Sequence, residues 1–131
     1  IKPYSTKTEE AFLENLNHAL DNAFLDGRRC TVKREVAISQ VFVDNPSCVD
    51  LFYTGRFDFV VYERQGGRLM PILAIELDGK EHRGDPAVQA RDRKKEAICR
   101  EHGFELIRVE NSYARRYHYI KEILIRYFSG R

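Results

Sequence analysis

Three carboxylates stand in settings where carboxylates are expensive. Glu76 and Asp78 end the apolar run Ile72-Leu73-Ala74-Ile75-Glu76-Leu77-Asp78, and Asp58 lies inside Arg56-Phe57-Asp58-Phe59-Val60-Val61-Tyr62. A strand alternates its faces with period two, so Glu76 and Asp78 project from the same face. Two acids at a buried strand end repel each other and lose hydration unless positive charge sits between them. A divalent metal is the natural compensator. A hard cation such as Mg²⁺ takes oxygen ligands, usually one or two carboxylates with water and substrate phosphate. A metal at such a site points to hydrolytic chemistry. Aspartate is disfavoured inside strands, so Asp58 is a third candidate ligand; the alternative is a turn or cap acid at a strand end.

Positive charge is concentrated further along the chain. Arg91, Arg93, Lys94, Lys95 and Arg100 outnumber Asp92 and Glu96, and Arg115-Arg116 form a second basic group. One reading is a solvated helix face; the other is a surface for nucleic-acid phosphates. Asp92 reads as a salt-bridge or helix-face acid. Tyr113, Tyr117, Tyr119 and Tyr127 either stack on bases or pack the last helix with wet hydroxyls. His18, His102 and His118 read as structural or exposed.

These residues need elements to position them. Phe12, Leu16, Ala19, Leu20 and Ala23 recur at helical spacing and predict a helix over 8–25. Thr6 and Glu9 have capping-box spacing, and Asp26-Gly27 is the stop signal. Residues 31–38 read as a charged, edge-type strand. Residues 39–55 contain the turn signal Asn45-Pro46 and a short apolar piece. Residues 56–62 and 70–78 read as strands joined by the turn Gln65-Gly66-Gly67-Arg68. That hairpin brings Asp58 beside Glu76 and Asp78 at one edge of the sheet. Asp85-Pro86 starts a helix that Gly103 stops near His102. Residues 104–109 form a strand, and Asn111 or Ser112 caps a final helix carrying Tyr117, Ile120, Leu124 and Phe128. The order is helix, three strands, helix, strand, helix. It implies a mixed sheet flanked by helices, of α/β or α+β class.

A chain of 131 residues, 43% hydrophobic, suits one domain with a real core. The net charge of +2 is too small to name a partner. Cys30, Cys48 and Cys99 are odd in number and lack metal-ligand or redox spacing, which implies a reducing compartment, cytoplasmic or nucleoid-associated. There is no signal peptide, and no apolar run is long enough to span a bilayer, so no membrane is expected. The only methionine is Met70, so residues 1–131 are expected to be a domain from a longer protein.

Asp58, then Glu76-Leu77-Asp78 after a hairpin, then a basic helix, resembles the PD-(D/E)XK, or restriction-endonuclease-like, nuclease superfamily. The αβββαβ order fits that superfamily's core. Within it, Gly55-Arg56-Phe57-Asp58-Phe59, Ile75-Glu76-Leu77-Asp78-Gly79 with His82, Arg91-Asp92, and Gly103-Phe104-Glu105-Leu106-Ile107-Arg108-Val109 resemble the branch around very-short-patch mismatch repair endonucleases and related uncharacterised domains. The resemblance omits residues 26–54 and the last helix, and Phe57 replaces the proline of the superfamily name. It implies a metal-dependent deoxyribonuclease, an endonuclease in DNA repair. Mg²⁺, or Mn²⁺ in its place, would be held by Asp58, Glu76 or Asp78, with Glu9 reaching in from the inward face of the first helix unless it serves only the capping box. The lysine stays open. Asp78 fills its position if Glu76 is the second acid, whereas Asp78-Gly79-Lys80 is an alternative register. Lys80, a migrated Lys94 or Lys95, or His82 would orient the attacking water or stabilise developing charge. Arg91, Arg93, Lys94 and Lys95 would bind the DNA backbone without reading sequence. A homodimer, and a helicase or repair partner in the parent protein, are further implications. The alternative is a non-catalytic nucleic-acid-binding or interaction module that keeps the nuclease fold; a small-molecule phosphohydrolase is disfavoured because no Gly-rich phosphate loop is present.

Overall fold

The computed structural model describes residues 6–21, 29–42, 54–79 and 84–130. Helix α1 (Lys7–Leu20) starts at a full capping box, in which Thr6 Oγ1 accepts the Glu9 N–H and Glu9 Oε1 accepts the Thr6 N–H, each at 3.0 Å. It is described to Leu20, with Asp21, a residue type that competes for backbone hydrogen bonds, as its C-cap; residues 22–25 of the expected helix and its Asp26-Gly27 stop lie outside the described residues.

Strand β1 (Cys30–Ala37) runs into a single helical turn, α2 (Ile38–Val41), which the periodicity did not indicate. Strands β2 (Arg56–Gln65) and β3 (Arg68–Asp78) form the expected hairpin, with longer arms. Gly66 and Gly67 have φ of +57° and +83°, the positive pair that a type I′ turn requires and that matches the strand twist. Helix α3 (Pro86–Glu101) opens with Asp85 Oδ1 accepting the Ala87 N–H at 2.9 Å, and Pro86 takes the first helical position. Strand β4 (Glu105–Glu110) follows. The expected cap at Asn111 or Ser112 is a correction. Those residues begin a 3₁₀ turn (Asn111–Tyr113) closed by the Ala114 N–H donating to the Asn111 carbonyl, and α4 (Tyr117–Ser129) starts only after Arg116, without a side-chain cap.

The four strands lie in the order β1-β2-β3-β4. The β1–β2 and β2–β3 pairs are antiparallel and β3–β4 is parallel, joined across α3. This is the α/β class expected, a mixed sheet between helical layers. Phe59, Val61, Leu73, Ile75 and Leu77 pack on one face with Phe12 and Leu16 of α1 and Ile120 and Leu124 of α4. Val60, Tyr62 and Ala74 pack on the other with Ile98 and Cys99 of α3 and Ile38 of α2. Burial on both faces explains why β2 and β3 read as nearly continuous apolar runs rather than alternating ones. It also means that any acid in their central stretch is surrounded by hydrocarbon unless the sheet opens beside it. No helix among the described residues is long and apolar enough to cross a membrane. Cys99 is a buried free thiol; Cys48 lies outside the described residues.

Candidate functional site

The sheet opens at Asp58. On one side, β1 pairs Arg34 with Phe59 and Val36 with Phe57, and the intervening Glu35–Asp58 pair is missing from the ladder. Glu35 has φ of +49°, a left-handed conformation uncommon for a residue with a side chain. On the other side, the β2–β3 ladder extends no further towards Asp58 than Phe59 opposite Ile75. Beyond that point side chains replace the backbone ladder. The Asp58 N–H donates to Glu76 Oε2 at 2.7 Å, and the Leu77 N–H donates to Asp58 Oδ2 at 2.9 Å. Each acid thus satisfies a backbone donor on or beside the other's strand, which is how two carboxylates are tolerated at this depth.

A cation completes the pair. Lys95 Nζ donates to Glu76 Oε1 at 2.7 Å. Lys95 is only 8% exposed and Glu76 only 4%, so this contact is shielded from water. Helical spacing explains the placement: Lys95, Ile98 and Cys99 form the inward stripe of α3. Lys95 therefore does not belong to the exposed basic face with which its neighbours grouped it; Arg91, Arg93, Lys94 and Arg100 are the exposed cations there. Burial pushes the Glu76 carboxyl above its ordinary pKa, and the Asp58 charge adds to that, while Lys95 pulls in the opposite direction. Cys99, buried nearby, is pushed up to about 12 by burial first and by the Glu76 charge second.

Further acids gather on the other side of Asp58. Carboxylate oxygens of Glu9, Glu35 and Asp58 all lie within 4.8 Å of one another. Glu9 is buried, Asp58 half-buried and Glu35 exposed. The two readings of Glu9 both hold geometrically, since its side chain closes the capping box and also faces Asp58, with Arg34 Nη2 3.9 Å from Oε1. The donor set is all carboxylate oxygen, the chemistry a hard cation prefers. Mg–O bonds of about 2.1 Å put opposite ligands about 4.2 Å apart, a spread that small side-chain rotations reach from here.

Asp78 is held apart from this group. Arg108 of β4 takes it at 3.4 Å, and the same guanidinium reaches Glu96 Oε2 at 2.8 Å, Asp92 Oδ1 at 3.5 Å and the Asp92 carbonyl at 3.2 Å. Asp92 is thus the salt-bridge acid expected. Burial alone would lower the Arg108 pKa, but Glu96, Asp92 and Asp78 outweigh it and the net direction is up. Lys80 and His82 lie outside the described residues. Sequence reasoning missed Glu35 and Arg108. Glu35 was absorbed into a charged edge strand, whereas a lone arginine in Phe104-Glu105-Leu106-Ile107-Arg108-Val109 was a legible signal of a paired, half-buried charge.

No curated protein and no solved structure matches the chain. A family model described as protein of unknown function (DUF2726) matches residues 1–126, nearly the full length, and the chain belongs to that family.

Proposed function

We propose that the domain is a metal-dependent nuclease of restriction-endonuclease-like fold that hydrolyses phosphodiester bonds in DNA. One observation carries the reading: Asp58 and Glu76 interlock where both ladders of β2 part, with Lys95 on Glu76 and Glu9 and Glu35 beside Asp58. A core acid that served packing alone would not open the sheet on both sides. The order α1, β1, β2, β3, α3, β4 also agrees with the αβββαβ core, apart from the inserted turn α2.

Asp58 and Glu76, with Glu9 and Glu35 able to join them, would hold Mg²⁺ or Mn²⁺ through hard oxygen donors. Such a cation, when bound, supplies Lewis acidity to a phosphate oxygen and lowers the pKa of a water molecule. Lys95 supplies a preorganised ammonium in a shielded position, where stabilisation of charge developing on a phosphate is stronger than in water. In this reading Lys95 takes the part of the migrated lysine, one of the alternatives the sequence leaves open. Glu76 fixes the direction of its N–H bonds. Arg91, Arg93 and Lys94 present exposed positive charge to the phosphate backbone, which positions a duplex without reading its sequence.

The test is cleavage of plasmid and oligonucleotide DNA with Mg²⁺ or Mn²⁺, alongside Asp58→Asn and Lys95→Met. Cleavage that both substitutions abolish supports the proposal; no cleavage by the wild-type chain with either metal counts against it. One observation favours a second reading. Because each of Asp58 and Glu76 already satisfies a strand N–H, both acids have a structural task, as expected of a non-catalytic nucleic-acid-binding module. Calorimetry separates the two: Mn²⁺ binding lost in Asp58→Asn supports the enzyme, and DNA binding without metal binding supports the module.

A further inference from the structure

A cavity of about 440 Å³ opens beside the site, between α3, β4 and the start of α4. Its lining includes Asp78, Asp92 and Glu110, the guanidinium of Arg108, and the rings of Tyr113 and Tyr119, with Gln89 on the α3 side. Asp78 lies two residues beyond Glu76 on β3 and so about 6–7 Å further along the same face. Strand β3 thus carries Glu76 of the acid site and, two residues on, Asp78 of the cavity lining.

The lining excludes a phosphate. Three carboxylates face one guanidinium, which is already engaged by Glu96, Asp92 and Asp78. It offers instead acceptors and an aromatic surface. Tyr113 and Tyr119 are stacked with centroids 4.5 Å apart and planes 20° apart, and the Arg116 guanidinium lies 4.7 Å over the Tyr113 ring. Tyr119 is the more exposed ring of the pair, at 37%, whereas Tyr127 is tied by its hydroxyl to the Ile72 carbonyl. A ring held by stacking and left partly exposed offers a surface on which a further flat ring can stack. A volume above about 300 Å³ is also within the range of small-ligand pockets.

We propose that this cavity is a base-reading pocket: it takes one unpaired nucleobase of the strand presented to Asp58 and Glu76, and it favours a base with an exocyclic amino group. The proposal rests on the nuclease reading and adds a specificity to it. Tyr119 supplies stacking. The carboxylates accept from an amino group such as N4 of cytosine, as Asp and Glu do in base-edge contacts. Thymine turns a carbonyl oxygen to the same acceptors and is repelled. Arg91 and its neighbours hold the backbone, so this pocket supplies the base discrimination that they cannot.

The experiment is fluorescence anisotropy of labelled single-stranded dC and dT homo-oligonucleotides at one salt concentration, with chelator present to prevent cleavage. These pyrimidines are close in size and differ chiefly in the amino or carbonyl group. Wild type is expected to bind dC at least about fivefold more tightly than dT. Tyr119→Ala is expected to lose about tenfold in dC affinity, with Tyr119→Phe restoring it. Glu110→Gln should narrow the dC preference, and Arg91→Ala should weaken both oligonucleotides alike. Equal wild-type affinity for dC and dT, or an unchanged Tyr119→Ala, overturns the pocket; if Arg91→Ala still weakens binding and metal-dependent cleavage persists, the nuclease reading survives it. Absence of all oligonucleotide binding by wild type overturns the pocket, and absence of cleavage as well removes the nuclease reading with it.

Discussion

The sharpest consequence of the site's construction is a coupling between Glu76 and Lys95. Their contact is 2.7 Å long, with side-chain exposures of 5% and 10%. Removing one partner of a buried pair leaves an uncompensated charge and costs about 3–5 kcal/mol. Lys95→Met leaves Glu76 in hydrocarbon beside the like-charged Asp58. Glu76→Gln leaves a buried ammonium and replaces the carboxylate acceptor of the Asp58 N–H with a weaker amide. In the double variant neither stranded charge remains, so it should be less destabilised than the two single changes together by about 2 kcal/mol or more. For a domain of 131 residues, an unfolding entropy of about 2.1 cal/mol/K per residue converts 3–5 kcal/mol into a fall of about 11–18 °C in Tm.

The pH dependence gives a second handle. Burial, then Asp58, holds the Glu76 carboxyl above its ordinary pKa. A raised carboxyl pKa means that the folded chain binds this proton more tightly than the unfolded chain. The associated stability is present below the unfolded value, about 4.3, and is lost as pH rises through the folded value. Lys95→Met removes a group that pulls Glu76 down, so its deficit should be smallest near pH 4 and grow towards pH 8. The double variant, with no carboxylate at position 76, should lack that added slope. Thermal unfolding of all four proteins in chelator at several pH values measures both effects. Additive single changes within about 0.5 kcal/mol, or a pH-independent Lys95→Met deficit, would refute the argument.

Arg108→Lys should behave almost as Arg108→Met, because a point ammonium cannot span Glu96, Asp92 and Asp78 as the guanidinium fork does. With Arg108 partly exposed, a loss of about 1–2 kcal/mol is expected in urea unfolding, and restoration by lysine would show that charge alone suffices. Cys99, buried and with its thiol pushed up to about 12, should resist iodoacetamide at pH 8 in the native protein and react fully in denaturant, read by peptide mass spectrometry; native labelling at the rate of an exposed thiol would contradict that burial. Gly67→Ala should cost about 1 kcal/mol, since φ of +83° penalises a Cβ, and a chemical-denaturation midpoint equal to wild type would show that the turn relaxes freely.

The elements were legible where local chemistry dictates them. Gly66-Gly67 announces a hairpin, Asp85-Pro86 a helix start and Thr6 with Glu9 a capping box, and each depends on residues within a few positions of one another. The last helix was misplaced at its start because Asn111 and Ser112 cap well in isolation, yet the chain uses them in a 3₁₀ turn before Arg116. Such a choice belongs to tertiary packing, and no local signal carries it.

The site divides along the same line. That Asp58 and Glu76 adjoin followed from the hairpin, because pairing Phe59 with Ile75 leaves the next position on each strand beside the other. Which cation meets them did not follow, because Lys95 comes from another element and its inward direction depends on the phase of α3, set by Ile98 and Cys99 against the sheet. The overlapping motif Glu76-Leu77-Asp78-Gly79-Lys80 divides by the same reasoning. Face alternation puts Glu76 and Asp78 on one side, but β4 runs parallel to β3 and sets Glu110 opposite Asp78 and Arg108 opposite Glu76. The long Arg108 side chain leans along the strand to neutralise Asp78, leaving Glu76 to Lys95. Two acids one step apart on the same face thus acquire different partners, because Arg108 reaches along its strand to Asp78 while Lys95 comes to Glu76 from α3. That asymmetry separates an acid site around Asp58 and Glu76 from a cavity walled by Asp78.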